Sequence, residues 1–160
     1  MKVILQDIKK LETEALIVGF FEDIRPLKGL AGELDWLLCG SLSSLILNKK
    51  LSGVLGDVAL LTTQEKLPTQ KLFMVGLGPK TDFSSSILRA AARTAAASAL
   101  GAGVQKAVIE YFQPAHMSYE RSVSALSEGL SQGAGGRSFD VFVLAPDAAA
   151  YEKIAGLMNH

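Results

Sequence analysis

The sequence has little of what builds disulfide, metal or strongly charged sites. It contains one cysteine, Cys39, so no disulfide can form within the chain, which fits a reducing compartment. Its two histidines, His116 and His160, have no cysteine or histidine partner at metal-ligand spacing. The 16 basic and 16 acidic side chains cancel, so no general attraction to nucleic acid or anionic membranes follows. We therefore predict no metal, no cofactor and no nucleic-acid partner.

Long apolar runs are also missing. No run approaches the ~20 residues that a membrane-spanning helix needs. The N-terminus lacks an apolar segment followed by a small-residue cleavage site, as a secretory signal would have. These absences predict a cytoplasmic protein without membrane contact. The length of 160 residues favours a single domain over residues 1–160.

Short apolar runs alternate with amphipathic stretches along this chain, 49% of which is apolar. The uninterrupted run ALIVGFF predicts a strand that is covered on both faces. About six strands are predicted, over residues 3–8, 15–21, 57–63, 72–75, 107–112 and 139–144. About four helices are predicted, with inner faces that include Leu34 to Ile46, Ile87 to Ala99, Tyr119 to Leu130 and Tyr151 to Met158. The pattern indicates an α/β fold, a three-layer α/β/α domain with a mixed, mostly parallel sheet.

The predicted helix over residues 34–47 carries one leucine stripe at helical spacing. Cys39 follows Leu38 beside this stripe, and we expect it to be a small buried apolar residue rather than a nucleophile. Trp36 falls off the stripe. It either covers an edge of the core or anchors a protein interface, where tryptophan is enriched.

A glycine loop between the fourth predicted strand and the alanine-rich helix is the candidate ligand site. Its residues are Gly76, Gly78, Lys80, Asp82 and Ser84. Main-chain N–H groups at a helix N-terminus favour anions, and Lys80 adds positive charge. The spacing matches neither GxGxxG nor a P-loop, and Asp82 would repel a phosphate. A tight turn with an Asp or Ser helix cap is therefore the favoured interpretation.

Two further motifs have ordinary structural explanations. The glycines of segment 133–136 follow a helix, so we expect a C-terminal cap there. Arg89 and Arg93 share one helix face at i and i+4, where they either meet a phosphate or form a solvated face with salt bridges; the second is favoured.

Three ordered segments within residues 14–100 carry a family resemblance. They read EALIVGFFED, LAGELDWLLCGSLSSLI and LFMVGLGPKTDFSSSILRAAARTAAASAL. In this order the chain resembles the N-terminal domain of the leucyl (cytosol) aminopeptidases. The resemblance implies a macro-domain-like fold, with a mixed sheet between helix layers.

The resemblance also places the chemistry elsewhere. In that family a two-zinc active site lies in a separate C-terminal domain, whose Asn-Thr-Asp-Ala-Glu-Gly-Arg segment does not occur here. Asp140 faintly echoes a catalytic Phe-Asp motif but lies in a predicted strand. No catalytic residue is assigned, and an accessory domain standing alone without the catalytic domain is expected.

Two functions follow from this sequence. The first is a non-catalytic interaction or assembly module, whose partner is another copy of the chain, forming a homo-oligomer, or a separate catalytic-domain protein. The alternative is a macro-like binder of a phosphate-bearing small ligand such as ADP-ribose, which would use the loop from Gly76 to Ser84.

Overall fold

A six-stranded mixed sheet forms the centre of the described part of the chain. The computed structural model describes residues 1–112 and 116–158. The strands are β1 (Lys2–Ile4), β2 (Ala15–Phe20), β3 (Val58–Thr62), β4 (Lys71–Gly76), β5 (Lys106–Glu110) and β6 (Asp140–Leu144). Their order is β1-β6-β5-β2-β4-β3, and only β3 runs antiparallel to its neighbour. The mixed, mostly parallel sheet predicted from the sequence is confirmed.

Helices cover both faces of this sheet. They are α1 (Gly29–Leu37), α2 (Ser41–Leu47), α3 (Ser85–Gly101), α4 (Tyr119–Ala134) and α5 (Ala148–Met158), and a 3-10 turn spans Lys80–Asp82. Buried residues of α3, α4 and α5 share one apolar core, and those of α1 and α2 share the other. The three-layer arrangement is therefore also confirmed.

Strand β2 lies inside the sheet and is buried along its whole length. It pairs with β4 from Ala15 to Phe20 and with β5 from Ala15 to Ile17. Side chains of successive residues point to opposite faces of a strand, so burial of all six residues requires cover on both faces. This outcome confirms the interpretation of the ALIVGFF run.

Helices α3 and α4 pack with their backbones unusually close. A Cβ added at Gly129 would lie 2.3 Å from the Arg89 carbonyl oxygen, and one at Gly133 would lie 2.2 Å from that of Arg93. Such separations leave no room for a side chain. Gly133 therefore belongs inside α4, whereas Gly135, with φ +58°, caps the helix as predicted.

The single helix predicted over residues 34–47 is wrong, because the chain turns between α1 and α2. The two helices meet at an angle of 105°. Cys39 and Gly40 adopt positive φ values of 57° and 80°, and the Gly40 N–H donates to the Asp35 carbonyl at 2.8 Å. This is a C-terminal helix stop. The Asp35 carboxylate then accepts a hydrogen bond from the Ser43 N–H at 3.0 Å, which stabilises the first turn of α2.

The turn also corrects the prediction for Cys39, which is exposed rather than buried. Its sulfur accepts a hydrogen bond from the Lys66 ammonium at 3.2 Å. The buried positions of the leucine stripe, Leu34, Leu38 and Leu42, do face the core.

Smaller differences concern element ends and helix faces. The first strand ends at Ile4, because the chain turns at Asp7, whose carboxylate accepts the Lys9 N–H at 3.0 Å. Leu88 replaces Ile87 on the buried face of α3. Tyr151 is exposed, and Ala150 takes its place beside Ile154. The predictions that involve Pro114 and His160 fall outside the described residues.

Among the described helices, none is by itself long and apolar enough to cross a membrane. Only α1 and α2 taken together reach that length and apolar content, and the bend lies between them.

The close approach of α3 and α4 generates a stability prediction. Gly129→Ala should lower the free energy of unfolding by ~1–3 kcal/mol, because the added methyl meets a carbonyl that cannot move independently. Gly156→Ala is the matched control, since a Cβ there meets nothing within 4 Å. That variant should gain ~0.5–1 kcal/mol from better helix propensity. Urea unfolding of both variants measures the difference, and equal effects would show that the helices can move apart freely.

Candidate functional site

The predicted glycine loop forms a close-packed turn. A Cβ at Gly76 would lie 2.1 Å from the Val54 carbonyl oxygen, and Gly78 has φ +76°. Both positions therefore require glycine, one for close approach and one for backbone conformation. Ser84 caps α3 by accepting the Ile87 N–H at 3.3 Å, as the sequence predicts for a serine cap.

Most main-chain donors of this loop already have protein partners. The N–H groups of Gly76, Leu77 and Gly78 donate to carbonyls within 3.0 Å. Pro79 has no N–H, and the Lys80 N–H donates to the Asp23 carboxylate at 3.1 Å. An anion at this loop would have to displace these bonds, so its main chain offers little to a ligand.

A cleft of about 920 Å³ lies beside the loop, at the carboxyl edge of the parallel strands. Of the five predicted loop residues, Lys80 lines this cleft. Residues at or just after the ends of five strands line it too: Leu5, Phe20, Leu77, Glu110 and Leu144. Adjacent connections diverge at this edge of an open α/β sheet, which makes it the usual position for a ligand crevice.

The walls of the cleft are largely apolar and aromatic. Phe21 and Phe83 meet edge to face, with ring centroids 5.2 Å apart. Phe20, Phe112, Ile24 and Leu27 contribute further apolar surface. A pocket with such walls and a few polar groups has the composition of a small-molecule site.

Glu110 is the polar group that sequence reasoning missed. It is the last residue of β5, and its residue surface is only partly exposed to the cleft. Burial raises the pKa of its carboxyl to about 8, although a hydrogen bond from the Gly19 main chain lowers it. The signal in the sequence is one acid that interrupts the apolar run AVIEYF, with no turn residue beside it.

Tyr111 also lines the cleft, but its hydroxyl already has a hydrogen-bond partner within the protein. It hydrogen-bonds to the buried Ser122 of α4, and its ring stacks on Tyr119 at 5.9 Å. Burial raises the pKa of the Tyr111 phenol, which therefore stays protonated at neutral pH. This residue fixes the connection between β5 and α4 rather than offering a free group.

The remaining sequence candidates lie apart from the cleft. Arg89 forms a 2.8 Å salt bridge with Glu128 of α4, and Arg93 is exposed. Both observations agree with the predicted solvated helix face that carries salt bridges. His116 is exposed, and Asp140 begins β6. Within residues 1–112 and 116–158, no three His, Cys, Asp or Glu side chains cluster as metal ligands would.

Trp36 lies on α1 with 80% of its surface exposed, so it covers no core edge. Leu47, in the same helical layer, is 83% exposed. Of these two side chains, Trp36 is the candidate contact residue, because tryptophan is the type most enriched in interface hot spots.

Comparison with solved structures identifies proteins of the same fold. A macrodomain of Oceanobacillus iheyensis, solved with ADP, has a TM-score of 0.78 at 12% identity, over 98% of this chain and 88% of that one. A tomato leucine aminopeptidase has a TM-score of 0.71 at 18% identity, over 98% of this chain and 35% of that one. At these identities the likeness shows the fold alone.

Sequence comparison identifies the family. Residues 17–134 match the model of the cytosol aminopeptidase family, N-terminal domain. A probable cytosol aminopeptidase of Geobacter sulfurreducens is 35% identical over 133 residues, which cover 82% of this chain and 26% of the relative. A probable cytosol aminopeptidase of Geotalea uraniireducens is 33% identical over 146 residues, which cover 87% of this chain and 27% of the relative. The chain thus spans about a quarter of the length of these relatives, and it belongs to the cytosol aminopeptidase family, of which it represents the N-terminal domain.

Proposed function

We propose that this domain is a non-catalytic interaction module that contributes to assembly. The observation that carries the proposal is the exposure of Trp36, 80% of whose surface faces solvent. Tryptophan is among the residues most enriched in interface hot spots, because one side chain removes a large apolar area from water. The partner is a second copy of the chain or a separate aminopeptidase catalytic domain.

The family match supports the non-catalytic part of the proposal, since it is to the N-terminal domain. The purified chain should not hydrolyse a leucyl amide above a matched blank, with or without added zinc or manganese. The measurement is release of the amine over time, with a preparation from a mock purification as the control. Metal-dependent hydrolysis by protein free of contaminating peptidase would contradict it.

Trp36 provides both the variant and the probe for assembly. It is the only tryptophan in the sequence, so its fluorescence should shift to shorter wavelength when a partner covers it. Sedimentation velocity should show species above monomer as the protein concentration rises, or in a mixture with a purified cytosol aminopeptidase catalytic domain. Trp36→Ala should weaken this association by tenfold or more, as for a hot spot of about 2 kcal/mol.

Tyr151→Ala is the matched control for that experiment. Tyr151 is also exposed and aromatic, but α5 lies in the opposite helical layer. Association that both substitutions weaken equally would mean that Trp36 is not the anchor. A fluorescence spectrum that no partner changes would contradict the interaction function.

The cleft supports a second function, the binding of a phosphate-bearing small ligand such as ADP-ribose. It has the size and the position of a ligand crevice, and the fold is shared with a macrodomain solved with ADP. Since the main-chain donors of the glycine loop have partners, the side chain of Lys80 and the cleft walls would make the contacts.

A thermal-shift series separates this function from a simple turn. ADP-ribose should raise the melting temperature with increasing concentration and then approach saturation, because only the folded state binds it. Lys80→Ala should reduce the shift, since a charge-assisted contact is lost, while its ligand-free stability changes by less than ~0.5 kcal/mol. ATP and inorganic phosphate are the comparison ligands. The absence of a shift with any of the three would leave the loop as a turn only.

A further inference from the structure

Glu110 lines the cleft at a position that the pairing of the strands determines. The paired register of β2 and β5 ends at Ile17 and Ile109. One residue later in β5, the Glu110 carboxyl contacts the Gly19 main chain of β2, where the two strands no longer pair. The side chain therefore closes the end of the β2–β5 ladder, and the rest of its hydrogen-bonding capacity faces the cleft that it lines.

The surroundings of this contact are apolar. Glu110 comes two residues after Val108 in β5, so its side chain projects from the α1–α2 face of the sheet. On that face, Phe20 and Leu27 contribute apolar lining to the cleft. A carboxylate beside such groups loses hydration that no other charge replaces. The neutral acid is accordingly the favoured form of Glu110 at neutral pH.

Among the described residues, the other charged side chains that line the cleft are all exposed. Asp7 and Lys9 follow β1, Lys28 and Glu33 lie at the start of α1, and Lys80 begins the 3-10 turn. The lining residues at the end of β6 carry no charge. With Glu110 protonated, three lysines face two acids and the lining is net positive. With Glu110 ionised, acids and lysines balance. Ionisation of Glu110 therefore removes the net positive charge of the described lining, which makes the cleft less favourable for an anion.

The protonated form also has the chemistry that an anion needs. A neutral carboxylic acid has one O–H donor, which can be given to a phosphate oxygen, whereas a carboxylate has only acceptors and repels it. The Gly19 main chain interacts with this carboxyl as a donor, so it occupies an acceptor position and not the O–H.

We propose that Glu110 is the specificity-determining residue of the cleft, admitting a phosphate-bearing ligand when its carboxyl is protonated and rejecting it when ionised. This inference rests on the proposed ligand-binding function of the cleft. Proton and ligand binding are then linked, so the affinity for the anion falls as the pH rises through the pKa of Glu110.

The test measures ADP-ribose affinity by calorimetry from about pH 6 to about pH 9.5. Its pyrophosphate lacks a terminal phosphate monoester and keeps a constant charge over this range, so the probe itself does not titrate. For the wild type, the dissociation constant should rise above the pKa, approaching roughly tenfold per pH unit. Glu110→Gln keeps the side-chain size and a neutral donor, and should hold its affinity at the pH where the wild type has lost it.

A ligand-free measurement checks the protonation step independently. Folded Glu110 binds its proton more tightly than the unfolded chain does, so stability falls as the pH rises from the unfolded pKa near 4.5 to the folded pKa of about 8. The melting temperature of the wild type should therefore fall over this window relative to that of Glu110→Gln. Glu152→Gln, the same change at an exposed site on α5, should follow the wild type in both experiments.

The outcomes separate this inference from the function on which it rests. Binding that has the same pH dependence in wild type and Glu110→Gln would overturn the role of Glu110 and leave the cleft as a ligand site. Affinity for ADP-ribose that grows as Glu110 ionises would also overturn it. Failure of both proteins to bind at every pH would overturn the binding function itself, and this inference with it.

Discussion

The burial of β2 on both faces is the constraint on which the rest of the structure depends. All six of its residues are buried, and strands pair with it on both sides. A strand of this kind needs a helical layer over each face, which determines the three-layer arrangement. The alanine-rich face of α3 lets one layer approach closely, and the bend between α1 and α2 lets the other follow the opposite face. The cleft then opens where β2 ends and the connections on its two sides separate.

The sequence predicts the fold well where one physical signal dominates. Uninterrupted apolar runs mark the central strands, and alanines at helical spacing mark α3. It fails where a local turn overrides the helical pattern. The leucine stripe continues through Cys39 and Gly40, yet both residues adopt positive φ values and divide the helix. Positive φ at cysteine is uncommon, so no propensity argument predicts the turn at that residue.

The site is less predictable than the fold, because it depends on which side chains the sheet brings to one edge. The glycines of the loop are a visible motif, but they serve close packing and turn geometry. Glu110 is a single acid in an apolar run, and only the end of the β2–β5 pairing gives it a cleft to face. The sequence shows that Trp36 lies outside the leucine stripe, but whether it is exposed depends on how the whole helix is oriented on the sheet. The two candidate functions use different side chains, but helix α1 contributes to both, with Trp36 exposed to solvent and Glu33 lining the cleft.

The pairing of β1 with β6 has a consequence for how the chain is synthesised. β1 is an edge strand whose partner in the sheet is β6, close to the other end of the described residues. As the chain leaves the ribosome, Lys2 to Ile4 emerge before the other five strands and cannot pair with β6 until β6 has been made. The inner strands β2, β4 and β5 can pair earlier, so β1 joins the sheet late, after β6 has been translated. A short edge strand limits the risk of this delay, because three residues offer few free main-chain groups to a neighbouring chain.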